Sequence, residues 1–493
     1  MPQAWRGCAG SPPQTELRDL SARFTKSPTA ANLDLSLCPR CRVIDLDGVV
    51  EAVGAGEDLN NTIVARLALT ASFADPTCRF CAFISHDGLR SRFSWQGQSQ
   101  PWKLCAFDSL RARGFPKTDG GNLETRSIVM GLFPEGNTYV NPEEPMILLR
   151  SSDSQAGIQQ PSRFIYCARQ VHASHINYGL IKEWLRDCES GHKICRLHRP
   201  MMKPTQVIDC LQQKVVSCTP YTQYLTLSYV WGKQPQDDKE SLPHPLTGKL
   251  PDQIPQAILD AMTLVVALGY QYLWVDRFCI DQNNALEKHH QISHMAEVYE
   301  GALVTIVAAS STAADDGIPG VSIPRVMIPC VRISARLSLQ ACLHEVHQSL
   351  IASEWNKRGW TYQEFCLSRR CLIFADDQVH FICRRGTTCE GVKESALGNL
   401  PVVTWRCLGP RILEHGFGSN DTPLFLRNLY AYTRRMFSYD SDKLNAFRGI
   451  LSRSQIASYW GVPVCNTDLT LGSAPASVEV SPLAPFHLGF SKG

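Results

Sequence analysis

Asp276, Cys279 and Asp281 crowd into the residues directly after the apolar run Leu273-Trp-Val275, and Trp231-Gly232 closes a second run that begins at Tyr224 and contains Ser228. A strand built only for packing needs none of these groups at its exit. A ligand site at the ends of parallel strands does. Trp231 and Gly232 suit a planar ligand, a rigid wall beside a close backbone approach, although Trp231 could equally close a core. Asp276 and Asp281 could bind a ribose hydroxyl or orient a loop; Asp after a strand also commonly caps a helix or holds a turn. Cys279 is a candidate nucleophile only with a base beside it, and His289, His290 and His294 follow closely in sequence.

Metal chemistry is the other option. Cys38-Pro-Arg-Cys41 and Cys78-Arg-Phe-Cys81 have the knuckle spacing of a four-thiolate zinc site, although the 36 residues between them exceed the usual ribbon spacing. A zinc there would be structural and would hold the N-terminal region together. Cys188, His192 and Cys195 follow i, i+4, i+7 spacing, which on a helix puts them on one face, as metal ligands or, more simply, as packed groups. Cys366, Cys371 and Cys383 lie inside apolar segments and read as small buried hydrophobes.

The elements that must position these groups alternate. Leu225–Val230, Tyr272–Val275 and Leu303–Ala308 read as strands. Pro255–Leu268 reads as a helix ending at Gly269, and Ala285–Glu300 as a second helix. Strand-helix-strand-helix-strand with right-handed crossovers is a parallel α/β sheet, so Trp231-Gly232, Asp276 to Asp281 and Ser310-Ser311 should share its carboxyl edge. A further helix is expected around Ile181–Cys188, and Tyr430–Phe437 and Asp442–Leu451 also look helical. Upstream, Thr62-Ile-Val-Ala, Ser127-Ile-Val-Met, Pro145-Met-Ile-Leu-Leu and Phe164-Ile-Tyr-Cys recur between Gly, Pro and Asn clusters, the pattern of a small β-rich domain.

Several blocks occur together in one order: Leu227-Ser-Tyr-Val-Trp-Gly232, Trp274-Val-Asp276 through Gln282, His290-Gln-Ile-Ser-His-Met295 and Arg358-Gly-Trp-Thr-Tyr-Gln-Glu364. In this the chain resembles the fungal heterokaryon incompatibility (HET) domain family, with Arg277-Phe278 where smaller residues are usual. The resemblance implies a fold similar to Toll/interleukin-1 receptor (TIR) domains: an α/β parallel sheet with flanking helices, here preceded by the small β-rich domain. The resemblance places the HET domain at 181–380 (core 221–366); composition and local pattern add a disordered leader (1–37), a β-rich N-terminal domain (38–175) and a partly helical C-terminal extension (381–493).

The family is associated with allorecognition and death of fused cells, and some TIR domains hydrolyse NAD. Glu364 then takes the place of the TIR carboxylate that faces the ribose beside nicotinamide. Nicotinamide leaves a cationic pyridinium as a neutral molecule, so the reaction needs a carboxylate near an oxocarbenium-like centre rather than a general acid. Glu364 could instead pair with Arg358 or Arg369 as a structural salt bridge. On the enzymatic reading NAD is the substrate, with Ser228, Trp231, Gly232, Asp276, Cys279 and Asp281 around it. The alternative is a non-enzymatic module acting through self-association or through other death-pathway proteins.

Bulk properties narrow the rest. A net charge of +3, with Lys and Arg scattered, gives no nucleic-acid surface. No apolar run is long enough for a membrane helix, and the first residues lack the apolar core of a secretory signal. A cytoplasmic chain is the expectation, with its 20 cysteines as thiols or metal ligands.

Overall fold

Tyr224–Ser228 (β8), Thr305–Ala308 (β10) and Arg370–Phe374 (β13) are buried along their whole length, as expected of strands covered on both faces. The computed structural model describes residues 17–26, 36–67, 75–85, 89, 101–108, 127–135, 146–152, 166–196, 202–232, 242–244, 247–342, 351–393, 422–453, 458–459 and 462–463. It contains two large mixed sheets.

The second of them carries the residues singled out above. Besides β8, β10 and β13 it includes Gln206–Asp209 (β6), Lys214–Ser217 (β7), Tyr272–Trp274 (β9), Val379–Cys383 (β14) and Thr387–Cys389 (β15). The spatial order is β15-β14-β13-β10-β8-β9-β6-β7. The pairs β13/β10, β10/β8 and β8/β9 are parallel, and antiparallel strands flank them on both sides. From β8 the chain moves to β9 on one side and then to β10 on the other. The order therefore reverses at β8, and such a reversal opens a crevice at the carboxyl ends of the strands.

Helix Gln256–Ala267 joins β8 to β9, burying Ile258, Ala261, Met262 and Val265, and stops where Gly269 takes a φ of +90°. The single helix expected over Ala285–Glu300 is two, Ala285–Ser293 and Met295–Gly301. Ser293 Oγ and the His294 ring both reach the His290 carbonyl, at 2.7 and 2.8 Å, and compete for the acceptor that would continue the helix. Asp442–Leu451 is helical as expected; the helix before it is Thr422–Thr433, earlier than the sequence pattern suggests.

The first sheet has the order β1-β2-β3-β4-β5-β12-β11. Its strands are Arg18–Asp19 (β1), Thr62–Leu67 (β2), Trp102–Asp108 (β3), Ile128–Pro134 (β4), Met146–Ser151 (β5), Cys330–Arg332 (β11) and Leu337–Cys342 (β12). The apolar runs near Thr62, Ser127 and Pro145 are strands here. In the fourth run, Phe164 and Ile165 lie outside the described residues and Tyr166-Cys167 is not in a strand. Two features could not be read locally. Arg18–Asp19, within the stretch read as a leader, pairs with β2, and Phe24 is buried behind it. Strands β11 and β12, from the middle of the chain, complete the sheet through β5.

Candidate functional site

Ser228 ends β8, Asp276 follows β9 after one residue, and Thr312 lies just beyond β10. All three therefore fall on the carboxyl edge expected from the parallel pattern. Helix Gly359–Leu367 brings Glu364 to the same place. It is buried nearly all round because Met295–Gly301 packs on one side and Asp442–Leu451 on another.

A cavity of about 720 Å³ opens here. Its wall includes Tyr229, Trp231, Gly232, Asp276, Tyr299, Arg358, Trp360 and Glu364, and Met436 to Tyr439 from the C-terminal segment close it. Gly232 has a φ of +79°, and a Cβ there would lie 2.9 Å from that of Ala313, so the turn leaving β8 requires glycine. Gly359 is equally constrained, because the Phe437 ring fills the space a side chain would take.

Glu364 is buried, at 5% exposure. Ser228 Oγ donates to its Oε2 at 2.5 Å, and Trp355 Nε1 donates to Ser228 Oγ at 2.8 Å, which fixes the hydroxyl proton on the carboxylate. Among the described residues no Lys, Arg or His forms an ion pair with Glu364. Arg369 instead donates to the carbonyls of Glu300, Cys195 and Ala302. Burial, reinforced by the charge of Asp276, pushes the Glu364 carboxyl up to about 7 against the Ser228 hydrogen bond and the Arg358 charge. Asp276 accepts from Trp231 Nε1 at 3.0 Å and from the Arg277 amide at 2.8 Å, and burial raises its pKa as well. Tyr229 lines the cavity, and its buried hydroxyl has no hydrogen-bond partner among the described residues.

Ser228→Ala removes a donor that favours ionised Glu364. The expected result is a Glu364 pKa higher still, by about one unit, read by carboxyl-carbon NMR titration. An unchanged or lower midpoint would show that the relay from Trp355 does not set this carboxyl.

Of the residues singled out in sequence, Ser228, Trp231, Gly232, Asp276 and Glu364 come together. Cys279 and Asp281 stand apart. The Cys279 sulfur is buried against Val275 N and Leu273 O, and burial pushes its thiol up to about 12, far from a nucleophile's range. Asp281 is exposed and holds a turn by accepting from Asn283 N at 2.9 Å. Tyr229 lies inside the Leu227–Gly232 block but was given no role there, and Tyr299, Lys288, Trp355 and Met436 to Tyr439 were not singled out as site residues; they meet only through the tertiary fold.

Residues 224–364 match the family described as heterokaryon incompatibility protein (HET). This segment is a heterokaryon incompatibility domain. It opens on the first residue of β8 and closes on Glu364, so the HET domain supplies most of the cavity. The wall at Met436 to Asp442 lies outside it. The chain matches no curated protein and no solved structure. No helix among the described residues is long and apolar enough to cross a membrane.

Away from this site, Cys38, Cys41, Cys78 and Cys81 converge, with sulfurs all within 4.8 Å of one another. Cys38 and Cys78 each sit at the N-cap of a short helix, Pro39–Arg42 and Arg79–Ile84. The Cys38–Cys81 and Cys41–Cys81 separations are 3.8 and 3.5 Å. Zinc–sulfur bonds of about 2.3 Å in a tetrahedron set sulfurs about 3.8 Å apart, so this group could hold a metal.

Proposed function

We propose that this chain is a cytoplasmic effector of fungal allorecognition and programmed cell death, whose TIR-like HET domain cleaves NAD at the cavity, with Glu364 as the essential carboxylate. One observation carries the reading: a buried carboxyl poised near neutrality opens onto an aromatic-walled cavity at a strand-order reversal. The volume suits a dinucleotide. Trp231 and Trp360 offer faces for planar rings, and Arg358 and Lys288 complement a diphosphate. Ionised Glu364 would stabilise the ribosyl oxocarbenium as the C1′–N bond breaks. The bonding pair leaves on nicotinamide; water then adds to C1′ and gives up a proton. Four parallel strands flanked by helices support the TIR-like reading. A structural zinc on Cys38, Cys41, Cys78 and Cys81 would brace the N-terminal sheet.

A second reading has its own observation. Met436 and Tyr439 at the cavity wall are 56 and 65% exposed, Tyr430 on the helix before them is 50% exposed, and self-association through this segment would cover them. The two readings part on ligand binding. NAD at one hundred times its Kd should stabilise Glu364→Gln by about 2.7 kcal/mol in thermal unfolding. No shift with NAD, together with dimers that Tyr439→Ser disrupts, would favour the assembly module.

A further inference from the structure

Helix Tyr178–Gly191 stops before it can carry Cys188, His192 and Cys195 on one face. His192 is its C-terminal cap and Cys195 lies in the 3-10 turn Lys193–Cys195. That break folds the three side chains toward one point instead of spreading them along a packed stripe. There they meet Cys383, the last residue of β14, 188 positions further along the chain. The four ligand atoms all lie within 4.8 Å of one another, and Cys383 Sγ is 3.4 Å from His192 Nδ1. Tetrahedral zinc with bonds of about 2.3 Å to sulfur and about 2.05 Å to nitrogen sets these atoms about 3.5 Å apart.

We propose that Cys188, His192, Cys195 and Cys383 form a structural zinc site distinct from the four-cysteine cluster. Three thiolates and a neutral imidazole give divalent zinc a net charge of −1, which needs nearby donors. They are present. Arg370 Nε donates to Cys188 Sγ at 3.1 Å, and the Arg385 amide donates to Cys383 Sγ at 3.4 Å. Such N–H···S contacts fix ligand orientation and damp the thiolate charge. Three of the four groups are buried and His192 is half-buried, so the site is closed, as structural zinc sites are.

The site joins elements on both sides of the segment matched by the family, 224–364. Through β14 and its partner β13 it anchors the upstream helix to the strand that follows the Glu364 helix. The zinc would thus hold that helix against the HET sheet without entering the chemistry, and its presence does not depend on NAD cleavage.

Elemental analysis of the full chain, purified with zinc and dialysed exhaustively, should find two zinc ions per chain. Cys383→Ser and Cys81→Ser should each leave one, and the double variant none. Should Cys383→Ser fail to fold, cobalt substitution in Cys81→Ser decides. That protein should show the visible bands of a tetrahedral three-sulfur, one-nitrogen site, and His192→Cys in the same background should shift them toward a four-sulfur pattern. A wild-type chain without zinc, a zinc content that Cys383→Ser leaves unchanged, or cobalt-loaded Cys81→Ser without tetrahedral bands would overturn the proposal.

Discussion

Glu364→Gln is expected to make the protein both inert and more stable at pH 8. The folded chain holds this carboxyl at about 7, against 4.5 when unperturbed, because it is buried beside the charge of Asp276. Below pH 4.5 both the folded and the unfolded chain carry the proton, and ionisation costs nothing. Between 4.5 and 7 the unfolded chain gives up its proton first, so stability falls as pH rises, by about 1.4 kcal/mol per unit. Above 7 the loss is complete, on the order of 3 kcal/mol. Glutamine keeps an acceptor for Ser228 Oγ and has no proton to lose. Urea unfolding should show the variant ahead of wild type by roughly this amount at pH 8 and nearly level at pH 4.5. On the proposed NAD cleavage, removing an electrostatic stabiliser of this kind should lower turnover by about 10³-fold. A gap that does not change with pH would mean that Glu364 titrates normally.

The second large effect lies away from the cavity. Glu390→Ala should destabilise the chain by about 3–5 kcal/mol. Its carboxylate pairs with Arg325 at 2.8 Å, the two side chains being 4 and 1% exposed, and also accepts from the amides of Asn177 at 3.1 Å and Val379 at 2.9 Å. Asn177 caps helix Tyr178–Gly191 and Val379 begins β14, so one carboxylate ties the upstream helix, the sheet and the segment after β10 together. Its removal leaves a buried guanidinium without its counter-charge and two amides without acceptors. Arg325→Met in the Glu390→Ala background should recover much of the loss, since the uncompensated charge goes with it. A loss under about 1 kcal/mol for Glu390→Ala would show that water reaches and satisfies the site.

The parts of this architecture legible in sequence are those with a short-range signature. Tyr224–Ser228, Tyr272–Trp274 and Thr305–Ala308 announce themselves as short apolar runs, and Gln256–Ala267 by its stripe and Gly269. Their alternation is enough to bring Ser228 and Asp276 to one edge. The Cys38 to Cys81 cluster was legible because each half is a local Cys-x-x-Cys pair. Cys383 was not, since its ligand partners lie nearly 200 residues away and its own surroundings look like core. Glu364 sits in a helix without an apolar stripe, because neighbours cover it on every side; only the resemblance of Arg358 to Glu364 singled it out. Tyr229 and Tyr299 were given no role in sequence, and only the tertiary fold shows that both line the cavity. The addition of β11 and β12 to the first sheet is a long-range pairing for which the sequence carries no local mark.

Nicotinamide release from NAD by the purified chain, at high concentration and under enforced clustering, tests the central claim most directly. Wild type should release nicotinamide, with a rate that rises through about pH 7 as Glu364 ionises, and folded Glu364→Gln should not. Equal release by both proteins, or none from a folded wild type under clustering, would contradict a catalytic role for Glu364.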